Sequence, residues 1–308
     1  MKPSFFSIIL PTYARPRQLA SCLRSLARLD YPRDHFEVIV VDDGSGLSLQ
    51  PVIAPFRDHF DMVVLTQMHA GPAAARNAGA ARARGQFLAF VDDDCMVASN
   101  WLQALAACFV MVPDHAIGGQ TINALPMNSY STATQLIVDY LYAYYNADHN
   151  HAQFLSSSNV AMPLDRFWAV GGFDTAFPLA AGEDREFCNR WLCHGYQMTY
   201  VPEAIVYHAH ALTLSTFWQQ HFNYGRGAFC FHRGYSRYNR GWIKPEPFAF
   251  YIDLLRYPFS QKQSRSSLLL ALLLVLSQAA TVAGFLWQGI RNLVNKSLVQ
   301  LIIGNGSV

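Results

Sequence analysis

Three aspartates in a row, Asp92, Asp93 and Asp94, directly follow the apolar stretch Phe87–Val91. Crowded carboxylates raise one another's pKa, and a divalent cation relieves that repulsion. Oxygen ligands suit Mg2+ or Mn2+, ions that bridge protein carboxylates and phosphate oxygens. The same three residues also make an ordinary solvated turn. What stands near them therefore decides their chemistry.

Several other segments carry reactive residue types. His69–Gly79 opens a helix with small residues and then sets down Arg76 and Asn77. Such a helix start lets backbone N–H groups approach an anion, and Arg76 can pair with a diphosphate or with one of the aspartates. Glu183 and Asp184 head a helical stretch that runs to Trp191. A carboxylate there sits on a rigid element and is a candidate general base, although the same pair also serves as a helix cap. His208 and His210 follow the strand-like Ala204–Tyr207 and, two residues apart, share one face. A neutral imidazole completes a metal shell that carboxylates only partly fill. Gln219–Gly227 holds Arg226 between Gly225 and Gly227, a segment able to close over donor phosphates or an acceptor. The tyrosines of Tyr140–Tyr145 either line an acceptor site or pack into the core.

The elements that position these groups follow from apolar spacing. Strands are predicted at Phe6–Leu10, Phe36–Val41, Met62–Thr66 and Phe87–Val91. The run at Phe6–Leu10 ends at Pro11 with Arg15 and Arg17 beyond it, so it reads as a buried first strand and not as a signal peptide. Helices are predicted at Gln18–Leu29, at Ala73–Arg84 with Gly85 to end it, at Trp101–Met111 and at Ala133–Tyr145. Val160–Pro163 and Met198–Val201 are shorter strand candidates. Alternation of strand and helix implies an α/β fold, a sheet with parallel strands and helices on both faces. Ligands bind beyond the carboxyl ends of such strands. Tyr13, Asp42–Asp43 and Asp92–Asp94 all follow strand ends, so they should meet in one crevice.

The 308 residues carry a net charge of +2, which leaves no global basic bias toward nucleic acid. Charged residues are only 14% of the chain, against about a quarter in soluble domains, which points to contact with a membrane or a partner. The six cysteines form no CxxC pair and no zinc pattern. Leu268–Trp287 is uncharged and long enough to span a bilayer, with Lys262 and Arg265 before it and Arg291 and Lys296 after it. A catalytic domain over 1–245 and a membrane-associated region over 246–308 are expected.

Ser7–Tyr13, Val41–Ser45, Gly71–Gly79, Val91–Asp94, Gly171–Asp174 and Gly182–Phe187 together resemble, in order and rough spacing, the family 2 glycosyltransferases. The likeness covers roughly residues 5–230. It implies a GT-A nucleotide-diphospho-sugar transferase fold and inverting, metal-dependent transfer. Pro11 and Tyr13 would line the nucleobase pocket and Asp43 would accept a hydrogen bond from the base. Arg15, Arg76, Asn77, Asp92 and Asp93 would complete the donor site, with Asp92 facing ribose and sugar. Asp94 would ligate the metal with His208 or His210. Asp184 would be the general base, and Glu183 and Arg226 would meet phosphate or acceptor. The donor would be UDP- or GDP-linked and the acceptor a glycan or lipid-linked hydroxyl near a membrane. Because nucleotide sugars are made in the cytosol, the catalytic domain would be cytoplasmic. A Gln-x-x-Arg-Trp element of the processive synthases is missing, so the resemblance is to non-processive members. Two other readings share the topology. A nucleotidyltransferase would need a glycine-rich loop after the first strand, which Pro11–Pro16 lacks. A non-catalytic sugar-nucleotide-binding protein would not need Asp94 and Asp184.

Overall fold

The computed structural model describes residues 3–177, 181–239, 246–261 and 265–304. The chain divides into two compact units, Met1–Ala211 and Leu212–Val308. The boundary expected at Pro245 lies outside the described residues, as does Lys262.

The first unit is an eight-stranded sheet. Its strands are β1 (Phe6–Thr12), β2 (Phe36–Asp42), β3 (Asp61–Thr66), β4 (Phe87–Val91), β5 (Cys95–Val97), β6 (Ala116–Asn123), β7 (Asn159–Pro163) and β8 (Met198–His208). They lie in the order β3-β2-β1-β4-β7-β6-β8-β5. β3, β2, β1 and β4 run parallel, β7 is antiparallel to both of its neighbours, and β5 is antiparallel to β8. Every residue of β1, β2 and β4 is buried, as continuous apolar runs predict for strands covered on both faces.

Helices α1 (Pro16–Leu26), α2 (Gln50–Ile53) and α4 (Trp101–Met111) cover one face. The apolar positions Leu19, Cys22, Leu23 and Leu26, at helical spacing, are the buried residues of α1. Helix α3 (Pro72–Ala80), helix α6 (Leu164–Val170) and helix α7 (Glu183–Cys193) cover the other face. Helix α5 (Ser129–Tyr145) packs beside β6. The predicted helix over Ala73–Arg84 stops four residues early. The Arg84 amide and guanidinium turn instead to buried Glu37 at 2.7 and 2.9 Å. Gly85 then passes so close to β1 that a Cβ would lie 2.5 Å from the Ser7 nitrogen.

Strand β6 has no apolar alternation, because Gly118 and Gly119 occupy its middle. They are there for clearance: a Cβ on Gly119 would sit 1.9 Å from the Ala204 carbonyl oxygen. The β6–β8 register shifts at that point.

The second unit holds α8 (Leu214–Asn239), α9 (Phe248–Ser260) and α10 (Ser267–Gly304). The segment Gln219–Gly227, expected to close over donor phosphates or an acceptor, lies inside α8. Its glycine serves helix contact, because a Cβ on Gly225 would meet the Thr281 carbonyl oxygen at 1.8 Å. Gly284 is matched the same way against Phe222, at 1.9 Å. Small residues let two helix backbones approach this closely. The apolar stretch of α10 is Ser267–Val294, 28 residues within which an 18-residue window reaches a mean hydropathy of 2.2.

Candidate functional site

The site is built at the carboxyl ends of β2, β1 and β4, three adjacent parallel strands. The end of β1 and the loop leaving it contact the turns that follow the other two. Thr12 donates its hydroxyl to Asp93 at 2.7 Å, and the Ala14 amide donates to the Ser45 hydroxyl at 2.7 Å. Ala14 has φ 54, the one non-glycine left-handed residue among those described, and it turns the loop toward Arg15. Arg15 reaches back with Nη1 3.3 Å from Asp93 and 3.1 Å from Asp94. The polar groups expected at these strand ends therefore come together, with Thr12 an unforeseen member.

Asp42 and Asp43 divide their work. Asp42 accepts from the Ser45 amide at 2.9 Å and from the Ser45 hydroxyl, which closes the turn. Asp43 spends both carboxylate oxygens inside the protein. Gln67 Nε2 donates to it at 2.7 Å, and the Ala70 and Gly71 amides at 2.9 and 2.8 Å. His69 Nδ1 lies 2.9 Å from the same carboxylate. The anion received by these amides at the start of α3 is thus a protein carboxylate. His69 also stacks on Tyr13, with ring centroids 4.2 Å apart, and both rings are about half exposed. Neither His69 nor Gln67 stood out in the sequence; only the folded loop brings them to Asp43. Pro11 pairs with Val41, one step before the β1–β2 ladder ends at Thr12 and Asp42.

His208 ends β8. The antiparallel β5–β8 pairing sets Cys95 opposite His208, and the Ala209 amide donates to the Asp94 carbonyl at 2.8 Å. This register brings His208 Nε2 to 3.1 Å from Asp94 Oδ1. The His210 ring lies 5.3 Å from that of His208, so the two imidazoles do share a side. Burial opposes ionisation of Asp94, but the His208 and Arg15 charges outweigh it and hold the carboxyl well below the usual range. Burial lowers and the Asp94 carboxylate raises His208, with a net upward shift. Burial and the His208 charge depress His210 to about 4. Burial and the Asp94 charge push Asp93 up to about 6.

A divalent ion fits this donor set. The ligand atoms of Asp94, Cys95 and His208 lie within 4.8 Å of one another. Burial, reinforced by the nearby carboxylates, holds the Cys95 thiol protonated, which leaves a carboxylate and an imidazole as ligands. That pairing suits Mn2+ or Mg2+ better than a soft metal.

Arg76 is buried and engaged twice, with Nη2 2.7 Å from Asp92 and Nη1 3.0 Å from Glu183. Asn77 also faces inward. Its amide donates to the Phe173 carbonyl at 2.8 Å and accepts from the Phe173 nitrogen at 2.9 Å. Asp184 begins α7 beside Glu183 and lines a small apolar cavity with Leu155, Val160, Phe173, Phe187 and Cys188. Burial and the Glu183 charge push the Asp184 carboxyl up to about 7, against the pull of Arg76. Of the tyrosines of α5, Tyr142 packs on Phe154 and Tyr200, and the Tyr145 hydroxyl accepts from Arg185 at 2.6 Å. Arg226 belongs to the second unit, where it bonds Gln288 at 3.0 Å and lies over Trp287.

Comparison with known proteins bears on the family and the fold. The sequence profile described as Glycosyl transferase family 2 matches residues 7–169, more than half of the chain. Validoxylamine A glucosyltransferase of Streptomyces hygroscopicus is 29% identical over 226 residues, 64% of this chain and 54% of that protein. The chain spans about half the length of the validoxylamine A glucosyltransferases it matches. Glycosyltransferase AglE of Haloferax volcanii is 25% identical over 229 residues, 72% of each chain. Mannosyltransferase PcManGT of Pyrobaculum calidifontis, solved with GDP-Man and Mn2+, superposes with a TM-score of 0.61 at 18% identity. The match covers 98% of this chain and 81% of that one. S. aureus TarS 1-349, solved with UDP-GlcNAc, gives 0.52 at 17% identity over 91% and 89% of the two chains. The sheet order, the helices on both faces and these likenesses make the first unit a GT-A fold, and the chain belongs to glycosyl transferase family 2.

Proposed function

We propose that this chain catalyses inverting transfer of a sugar from a nucleotide-diphospho-sugar to an acceptor hydroxyl, with a divalent metal held by Asp94 and His208. The observation that carries the reading is the meeting of Asp94 and His208 at 3.1 Å beside Asp92 and Asp93, where three parallel strands end. When bound, the metal neutralises the diphosphate leaving group.

The chain's own groups do the rest. Tyr13 and His69 offer an aromatic surface for the nucleobase, with Pro11 at its edge. Asp43 is within reach of the base once Gln67 or His69 gives up its bond. Arg15, about half exposed, is free to move from Asp93 and Asp94 to a donor phosphate when a metal takes over their charge. Asp92 meets the sugar. Asp184 takes the proton from the acceptor hydroxyl as that oxygen attacks the anomeric carbon. Its raised pKa gives it a stronger pull on that proton than an ordinary aspartate has. Structural neighbours solved with GDP-Man and with UDP-GlcNAc support a GDP- or UDP-linked donor.

The acceptor reading rests on α10. Leu268, Leu272, Val275, Val282, Leu286 and Ile290 are exposed at helical spacing along it. Such a stripe favours a membrane and hence a lipid-linked or membrane-proximal acceptor, with the catalytic unit on the cytoplasmic side where nucleotide sugars are made. The test is a panel of UDP- and GDP-sugars with Mn2+ or Mg2+, read as donor hydrolysis and thermal shift. No response to any donor, with or without metal, would remove the proposal.

A further inference from the structure

Arg76 has more work than its place in an alanine-rich helix suggests. Its side chain is 3% exposed, and its two terminal nitrogens point to different parts of the chain. One holds Asp92, in the turn after β4, at 2.7 Å; the other holds Glu183, at the head of α7, at 3.0 Å. A planar guanidinium presents its donors in a fixed fork, so the two carboxylates it holds are fixed relative to each other. The next residue acts on the same neighbourhood. Asn77 clamps the Phe173 backbone from both sides, and the Phe173 ring lies 5.5 Å from the Arg76 guanidinium. Gly172, at φ +69, leaves room for that clamp, since a Cβ there would sit 2.8 Å from Asn77 Oδ1.

We propose that Arg76 is a positioning residue that joins the two ends of the site, tying the turn that carries Asp92 to the helix that carries Asp184. This rests on the reading of Asp92 as the donor contact and Asp184 as the base. Glu183 then acts through Arg76 and touches neither phosphate nor acceptor. A donor that loads Asp92 is felt at α7 through one side chain, and the base is held in register with the sugar it serves.

The test is a double-mutant cycle with the isosteric changes Asp92→Asn and Glu183→Gln, read first by urea unfolding of the full chain. Asp92 and Glu183 share Arg76, so their effects on the unfolding equilibrium constant should depart from multiplicative by about tenfold. Multiplicative effects within about twofold would overturn the proposal. The second reading is hydrolysis of UDP-GlcNAc and GDP-mannose with Mn2+. Glu183→Gln should lower kcat about tenfold and leave the donor KM within about threefold, the pattern of a lost transition-state alignment. A raised KM with unchanged kcat would make Glu183 a ligand contact and sink the idea. Asp184→Asn runs alongside: full activity in that variant removes the base assignment, while the unfolding cycle still judges Arg76.

Discussion

His208 Nε2 stands 3.1 Å from Asp94 Oδ1, set there by the pairing of Cys95 with His208 across β5 and β8. Two residues more than a hundred positions apart thus meet as a candidate cation site. His208→Ala and Asp94→Asn should each weaken Mn2+ binding by at least about tenfold, measured by calorimetry with UDP or GDP present. Chelation of the metal should abolish transfer. Undiminished Mn2+ affinity in both variants would show that the metal is held elsewhere.

Asp184 should set the acid limb of the pH profile. Its carboxyl is raised to about 7, and only the ionised form accepts a proton. Transfer should therefore climb as pH rises through about 7 and then level off. Asp184→Asn should lower kcat by about 100- to 10,000-fold with donor binding retained. The stability consequence has the opposite sign. A carboxyl whose folded pKa lies above its unfolded value of 3.8 stabilises the fold at low pH, and that contribution is lost as pH rises through the folded pKa. Asp184→Asn should then have a higher Tm than the wild type at pH 8, a difference that shrinks toward pH 4.

Tyr13 and His69 stack at 4.2 Å with exposed faces. If a nucleobase joins that stack, Tyr13→Ala should weaken UDP or GDP binding by about tenfold, and Tyr13→Phe should not. Equal affinity in all three proteins would place the base elsewhere.

Gly119→Ala is expected to destabilise the first unit. The added methyl would meet the Ala204 carbonyl oxygen at 1.9 Å, a backbone atom that cannot swing away. Overpacking of this kind costs about 1–3 kcal/mol or more, visible in urea unfolding. An unchanged midpoint would mean that β6 and β8 separate without penalty.

Removing the residues beyond Arg265 deletes α10 and its exposed apolar stripe. The shortened protein should leave the membrane fraction for the soluble one. Unchanged fractionation would show that α10 is not the anchor.

Much of the strand-end half of this candidate site is written locally. β1, β2 and β4 are continuous apolar runs, each stopped by a polar turn, and a fully buried parallel strand needs no more than that. Their chain order put Tyr13, Asp43 and Asp92–Asp94 at one edge before any contact was known. α4 was equally plain from its apolar residues. Partners far apart in the chain were not plain. Asp43 turned inward to Gln67, His69 and the start of α3, and Asn77 to Phe173, because buried polar groups take whichever partner the folded loops bring near. β6 escaped because Gly118 and Gly119 answer to backbone clearance and carry no periodic signal. Gly225 read as a residue chosen for unusual backbone angles, whereas it lies in α8 and leaves room for α10. The sequence by itself determined which residues could bind metal, donor and proton. Only the tertiary structure decided which of them meet: hydrophobic pattern is a local property, while the 3.1 Å between Asp94 and His208, and the two carboxylates on Arg76, depend on strand register and helix packing across the whole sheet.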